Sequence, residues 1–403
     1  MAVRDVEEYS IIQDAFLDKF KCLGDKCPDT CCKGWDMQLD RITKTIYENS
    51  HKELEVAIAS TELNYVLKRD EEDNCMMLTN GLCKIHKNYG PSLLADACYF
   101  FPRIMYKMGD EYFASAGFSC PETARLILFM DDPFPKVVTA YKRIPYVLKD
   151  YSRESITIEY IRKIHDYFIS QITNLEVSKS LLKMLMMARS LSHLPKNKWY
   201  SSLEHIDKVA LNLLPERKND KNDIFYLVQT FVITVKSCRK KVNHRLAKVM
   251  ESFEKKFGCK IDWESTDIIV NDEKADVYEI YSQMETVKNP YKSEFINHIM
   301  SRWILAEMKS FLYPFSGTGK AILQKTQILL VKYCLNKMLL NVYLENSSDL
   351  EEDTITVVQS ISKFMDHLAD DVLIMKLIDS YNWNEDSRIY GLVSDICCKM
   401  QIA

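Results

Sequence analysis

The chain has 403 residues, 47% of them hydrophobic and 27% charged, with a formal net charge of −4. Such a length exceeds one small core and leaves room for two or three domains, and the composition is that of an ordinary globular protein. The slightly acidic balance excludes a global basic field for nucleic acid or anionic lipid, and the short basic stretch Lys236–Lys241 reads as a solvated helix face.

The opening MAVRDVEEYS alternates charges and lacks the apolar core of a signal peptide. No uncharged apolar run reaches the ~18 residues of a spanning helix. The expectation is a cytoplasmic protein whose thiols stay reduced, with no transmembrane segment, no nucleic-acid partner and no motif that specifies an oligomeric state.

Eight of the thirteen cysteines fall in the first 120 residues. Cys22, Cys27, Cys31 and Cys32 lie within eleven residues, and Cys75, Cys83, Cys98 and Cys120 follow. Gly24, Asp25, Pro28 and Asp29 are turn formers between the first of them, so several sulfurs can face one point. Adjacent Cys31 and Cys32 point different ways in most backbone conformations, which gives one of them a second role. Cys75 and Cys83 flank a Thr79-Asn80-Gly81 hairpin turn. Cys98 follows a short helix that begins after Pro91. Cys120 opens a helix at Pro121, where a helix N-terminus is expected to lower a thiol pKa. His86 stands at C-x2-H spacing from Cys83 but reads more economically as a core or surface histidine. Trp35 and Tyr99-Phe100-Phe101 are expected to pack this segment and shield it from water.

Thiolates are soft ligands that suit zinc or an iron–sulfur cluster. Zinc takes four tetrahedral ligands, and a [4Fe–4S] cluster takes four thiolates at irregular spacings; the spacing here leaves both open. The C-x3-C-x2-C loop of radical S-adenosylmethionine enzymes is absent. Six of the ten glycines also lie in the first 120 residues, so the segment reads as loops stapled by a metal. The later cysteines, Cys238, Cys259, Cys334, Cys397 and Cys398, read as small buried hydrophobes.

A proline cluster from Pro121 to Pro145 marks a transition, and helical periodicity starts near residue 155. Ile158, Ile161, Ile164, Phe168 and Ile172 repeat at helical steps, as do Leu181, Leu182, Leu185, Met186, Leu191 and Leu194. A linker near 219–223 precedes a helical stretch from Ile224 to Phe257, closed by Gly258. Residues 259–275 are less regular. Helices are predicted at Asp276–Glu285, Ser293–Phe311, Lys320–Tyr343, Thr354–Ala369 and Val372–Tyr381. The fold class is mainly α: an irregular cysteine-rich metal-binding module (1–130) packed on a multi-helical body (131–403).

Other motifs are incomplete. Ser316-Gly-Thr-Gly-Lys320 lacks the first glycine of a phosphate loop and has Ala321 where magnesium needs a hydroxyl. Gly317-x-Gly319 has no βαβ context for a dinucleotide or S-adenosylmethionine loop. Asp370-Asp371 has no acid–base partner, Ser347–Asp353 reads as a solvated loop, and no catalytic residue is assigned.

The order Phe20-x-Cys22-x4-Cys27-x3-Cys31-Cys32-x-Gly34-Trp35, then Cys75, Cys83-x-Ile85, Cys98-x3-Pro102-Arg103 and Ser119-Cys120-Pro121-Glu122, resembles the flagellin lysine-N-methylase family. That family is a longer relative of zinc- or iron-chelating cysteine-box proteins. The resemblance covers about residues 18–126. It implies a protein-lysine methyltransferase that moves methyl groups from S-adenosylmethionine to surface lysines of flagellin, with a [4Fe–4S] cluster on the cysteines. The alternative is a non-enzymatic iron–sulfur or zinc protein, structural or redox-sensing.

Overall fold

The computed structural model describes residues 7–62, 64–153, 156–172, 177–238, 242–270, 290–315, 322–365 and 372–397. The chain divides into two compact units, Met1–Glu154 and Ser155–Ala403. The expected division near residue 130 falls short because the strands Lys136–Tyr141 and Lys149–Asp150 still belong to the sheet of the N-terminal unit.

That sheet has five strands, in the order Lys136–Tyr141, Tyr9–Asp14, Glu111–Ala116, Arg103–Met108 and Lys149–Asp150. Arg103–Met108 and Glu111–Ala116 form an antiparallel hairpin. Its tight connection is made by Gly109 at φ +68°, the region such turns demand. Tyr9–Asp14 then pairs parallel with Glu111–Ala116 and antiparallel with Lys136–Tyr141. The N-terminal unit is therefore not a set of loops awaiting a staple. It also has its own small core, in which Met37, Leu39, Tyr47, Leu54, Leu67 and Ile85 are buried together. The helix Arg41–Ser50 enters that core with Asp40 as its cap, the carboxylate accepting the Thr43 amide at 2.9 Å. Tyr47 closes the far side by donating to the Leu93 carbonyl at 2.7 Å. Burial of this kind stabilises by roughly 25 cal/mol per Å² of apolar surface, so the unit has a source of stability besides any metal.

The C-terminal unit is a helical body. It contains Ile158–Ser170, Val177–Ser192, Trp199–Val209, Asp223–Ser237, His244–Phe257, Pro290–Ser310, Ile322–Leu344, Leu350–Met365, Val372–Ser380 and Asp386–Cys397. Ile322–Leu344 is buried nearly all round, Lys337 and Asn336 included, and packs against Val177–Ser192, Leu350–Met365 and Asp386–Cys397. A helix covered on every side is the centre of a bundle. The expected continuous stretch from Ile224 to Phe257 is two helices. Asn243 starts the second by accepting the Leu246 amide at 2.8 Å, and a cap of that kind is a helix beginning, not an interior. Gly258 closes it in the left-handed conformation at φ +60°, as expected. Cys259–Ile261 and Ile268–Val270 form a small hairpin in the segment read as irregular. Trp199–Val209 and Asp386–Cys397 were not among the predicted helices. Trp199 donates its indole N–H to the carbonyls of Leu191 and Leu194 at 3.0 and 3.1 Å, so it caps the preceding helix end. The predicted helix Asp276–Glu285, the turn at 316–320 and Asp370-Asp371 lie outside the described residues. Among the described residues no helix is long and apolar enough to cross a membrane.

Candidate functional site

A cavity of about 340 Å³ opens in the N-terminal unit, and Cys22, Cys27, Cys31, Cys98 and Cys120 line it together with His86. Five of the eight predicted cysteines therefore share one hollow. The loop carrying the first three is set by a 3₁₀ turn, Gly24–Lys26, with the Cys27 amide donating to the Gly24 carbonyl at 3.2 Å. Gly24 takes φ +58° there, and Leu82 lies 3.3 Å from where its Cβ would stand. Gly81 packs on the same turn: a Cβ on it would meet Asp25 at 2.9 Å. The Thr79-Asn80-Gly81 turn exists as predicted, between Leu78–Thr79 and Leu82–Cys83, and it braces the cysteine loop. Trp35 donates its indole N–H to the Cys31 carbonyl and meets Phe101 edge-on at 5.0 Å.

Cys32, Cys75 and Cys83 stand apart from the cavity. Cys75 is part of the small core, and Cys32, Cys83 and Cys98 pack against it. The Cys75 amide donates to the Cys32 carbonyl at 2.8 Å, so the backbone itself brings these two together. Cys98, on the helix Asp96–Phe100, belongs to both groups. Cys31 lines the cavity and Cys32 packs on the core, but their thiols share a hydrogen bond and do not point apart as expected.

Most of these thiols are partly or fully withdrawn from water, Cys22 being exposed. The Cys31 thiol is pushed well above its usual range by its hydrogen bond to Cys32 and by burial. The same bond draws Cys32 down to about 7. Burial pushes Cys75 up to about 12 and also raises Cys83 and Cys98. Cys120 corrects an expectation. It does precede the helix Pro121–Phe129, yet burial pushes its thiol up to about 11, outweighing the amides of Thr123 and Glu122. Cys259 and Cys334 are buried in the C-terminal unit, as read, whereas Cys238 is half-buried and Cys398 lies outside the described residues.

Among the described residues no group of three or more His, Cys, Asp or Glu side chains stands in an arrangement that could hold a metal ion as it is. The donor set nonetheless suits a soft metal group in kind, since five sulfurs border one hollow. Binding would have to displace their protons, because the ligand form is the thiolate.

No catalytic or ligand motif marks the polar wall of this cavity. Arg103 opens its strand and donates from Nε to the Tyr141 hydroxyl at 2.8 Å. Tyr141 in turn donates to Gln13 Oε1 at 2.7 Å. Arg103 carried a signal in the Cys98-x3-Pro102-Arg103 motif, whereas Tyr141 and Gln13 belong to no motif and arrive through sheet register.

Together these features define a mainly helical protein with a sheet-backed, cysteine-lined cavity. The profile of the FliB lysine N-methylase C-terminal domain matches residues 168–392. The chain is 28% identical over 176 residues to the flagellar biosynthetic protein FliU of Salmonella muenchen, covering 41% of this chain and 98% of that one. It is 30% identical over 140 residues to a lysine-N-methylase of Salmonella typhimurium, covering 32% of this chain and 34% of the relative. A lysine-N-methylase of Salmonella choleraesuis matches at the same identity and length, so the match spans about a third of each methylase. No solved structure matches. The chain belongs to the FliB lysine N-methylase family. The residues that the profile matches lie in the helical body, not in the cysteine segment that carries the sequence resemblance.

Proposed function

We propose that the chain is a protein-lysine N-methyltransferase that takes its methyl group from S-adenosylmethionine, acts on surface lysines of flagellin and carries a [4Fe–4S] cluster. The family match across residues 168–392 carries this reading. The flagellar name of one relative supports the substrate class.

Methyl transfer joins the lysine nitrogen lone pair to the sulfonium methyl carbon and breaks the carbon–sulfur bond, releasing S-adenosylhomocysteine. The amine must be neutral to attack, against an ordinary pKa of about 10.4, and its remaining proton is lost to solvent afterwards. Phe20, Tyr99 and Phe101 give the cavity apolar walls, which exclude water and disfavour an ammonium ion. The Arg103 cation on the same wall acts in the same direction, while the carboxylates of Asp29 and Glu122, also on the wall, act against it. The cysteines bordering the cavity would hold the cluster, with Cys32, Cys75 and Cys83 in the core behind. Bound there, a [4Fe–4S] cluster would supply one-electron chemistry, and zinc is the redox-silent alternative.

Protein purified without oxygen should contain about four iron and four sulfide per chain. It should methylate flagellin lysines with S-adenosylmethionine, read by peptide mass spectrometry. Stoichiometric zinc with methylation intact removes the cluster and leaves the enzyme. An iron-loaded, folded protein that methylates nothing removes the enzyme.

A further inference from the structure

The cavity wall contains a cation whose hydrogen-bonding capacity is only partly used. Arg103 is fixed from behind: its Nε donates to Tyr141, Tyr141 donates to Gln13 Oε1, and Gln13 Nε2 donates to Asp18 Oδ1 at 2.9 Å. Gln13 is 2% exposed, so this relay is internal and its polarity is set. Since the Tyr141 proton goes to Gln13, the tyrosine lone pair is left to receive Arg103. The guanidinium also lies over the rings of Phe20 and Tyr141, at 5.4 and 5.5 Å from their centroids. Among the described residues no carboxylate pairs with its two terminal nitrogens. Glu122, on the same wall, is held by Arg125 through bonds of 2.9 and 2.8 Å. An oriented guanidinium with two forward donors matches the two oxygens of a carboxylate.

We propose that Arg103 anchors the carboxylate at the amino-acid end of S-adenosylmethionine in the cysteine-lined cavity. The inference rests on the methyltransferase reading and adds the donor's docking point. Charge complementarity favours this ligand over a phosphate. Among the described lining residues Arg103 is the only lysine or arginine, and Asp29 and Glu122 are the carboxylates, Glu122 already paired with Arg125. S-adenosylmethionine presents the converse, one carboxylate with an ammonium and a sulfonium. A phosphate would meet one cation and two carboxylates. The cavity, at about 340 Å³, falls within the range of small-ligand sites.

The test uses calorimetry on the full chain purified without oxygen, with metal content measured in parallel. The probes are S-adenosylhomocysteine and 5′-methylthioadenosine, which keeps the nucleoside but lacks the amino-acid end. Arg103→Ala should weaken S-adenosylhomocysteine about 10- to 100-fold, as loss of a charged hydrogen-bond pair does, and leave methylthioadenosine within about twofold. Arg103→Lys, which keeps the charge and loses the fork, should fall between. Equal weakening of both probes, or of neither, overturns the anchor while leaving the methyl donor in place. Loss of metal from Arg103→Ala makes Arg103 a counter-ion of the thiolates and overturns it as well. If the unmodified protein binds neither probe, the methyl-donor reading fails with it.

Discussion

Cys31 and Cys32 are neighbours in the chain with opposite chemistry. Their shared hydrogen bond places a proton on Cys31 and leaves Cys32 the more acidic thiol, drawn down to about 7. In metal-free protein at neutral pH, iodoacetamide should label Cys32 well before Cys75 or Cys98, whose thiols burial keeps protonated. Labelling that proceeds evenly across the three, followed by peptide mass spectrometry, would contradict that ordering. A second buried acid sits in the helical body. Asp223 accepts from the Trp383 indole at 3.0 Å and from Arg388 at 2.8 Å, yet burial raises it from 3.8 to about 6. Its folded pKa lies above the unfolded value. Its contribution to stability is therefore complete below about 4 and lost as pH rises through about 6. Melting curves of the wild type and Asp223→Asn should diverge across that window, and parallel curves would exclude the shift. Asp223→Ala should cost about 3 kcal/mol by leaving the Trp383 indole without its acceptor and Arg388 with only the more distant Asp220 carboxylate, at 3.7 Å.

At the scale of elements, the glycine turn at 81 ties the hairpin bearing Cys83 to the loop bearing Cys22 and Cys27. Gly81 has φ +74°, and an added Cβ would stand 2.9 Å from the Asp25 backbone. Gly258 has φ +60° and ψ 38°, the left-handed conformation, with nothing within 4 Å. Gly258→Ala should cost only the left-handed strain, about 1 kcal/mol. Gly81→Ala should cost about 2 kcal/mol or more and raise proteolysis near Cys27. Equal melting temperatures for the two would show that the contact with Asp25 yields freely. The helices were readable because their apolar residues recur at the helical period, as from Ile158 to Phe168, and the Asn80-Gly81 turn was readable from local chemistry. The five-stranded sheet was not, because its pairings are distant: Tyr141 reaches Gln13 across 128 positions. The same distance hid the wall behind Arg103. The cysteines were legible as a group, but their division between cavity and core depends on which way each backbone turn faces.

For the whole molecule, the family match lies in the helical body and the cysteine cavity in the N-terminal unit. Cys27→Ser and Cys98→Ser should lose bound metal, whereas Cys238→Ser and Cys334→Ser should keep it, as metal analysis would report. Equal loss from both pairs would place the metal elsewhere. Methyl transfer to lysine is read from the methyl group itself. Anaerobically purified protein is incubated with S-adenosylmethionine carrying an isotopically labelled methyl, together with flagellin. Peptide mass spectrometry should find the label on flagellin lysine side chains, with yield rising as pH approaches the amine pKa. Flagellin recovered without label, from protein that is folded and metal-loaded, would contradict the account and leave a metal-binding protein without this activity.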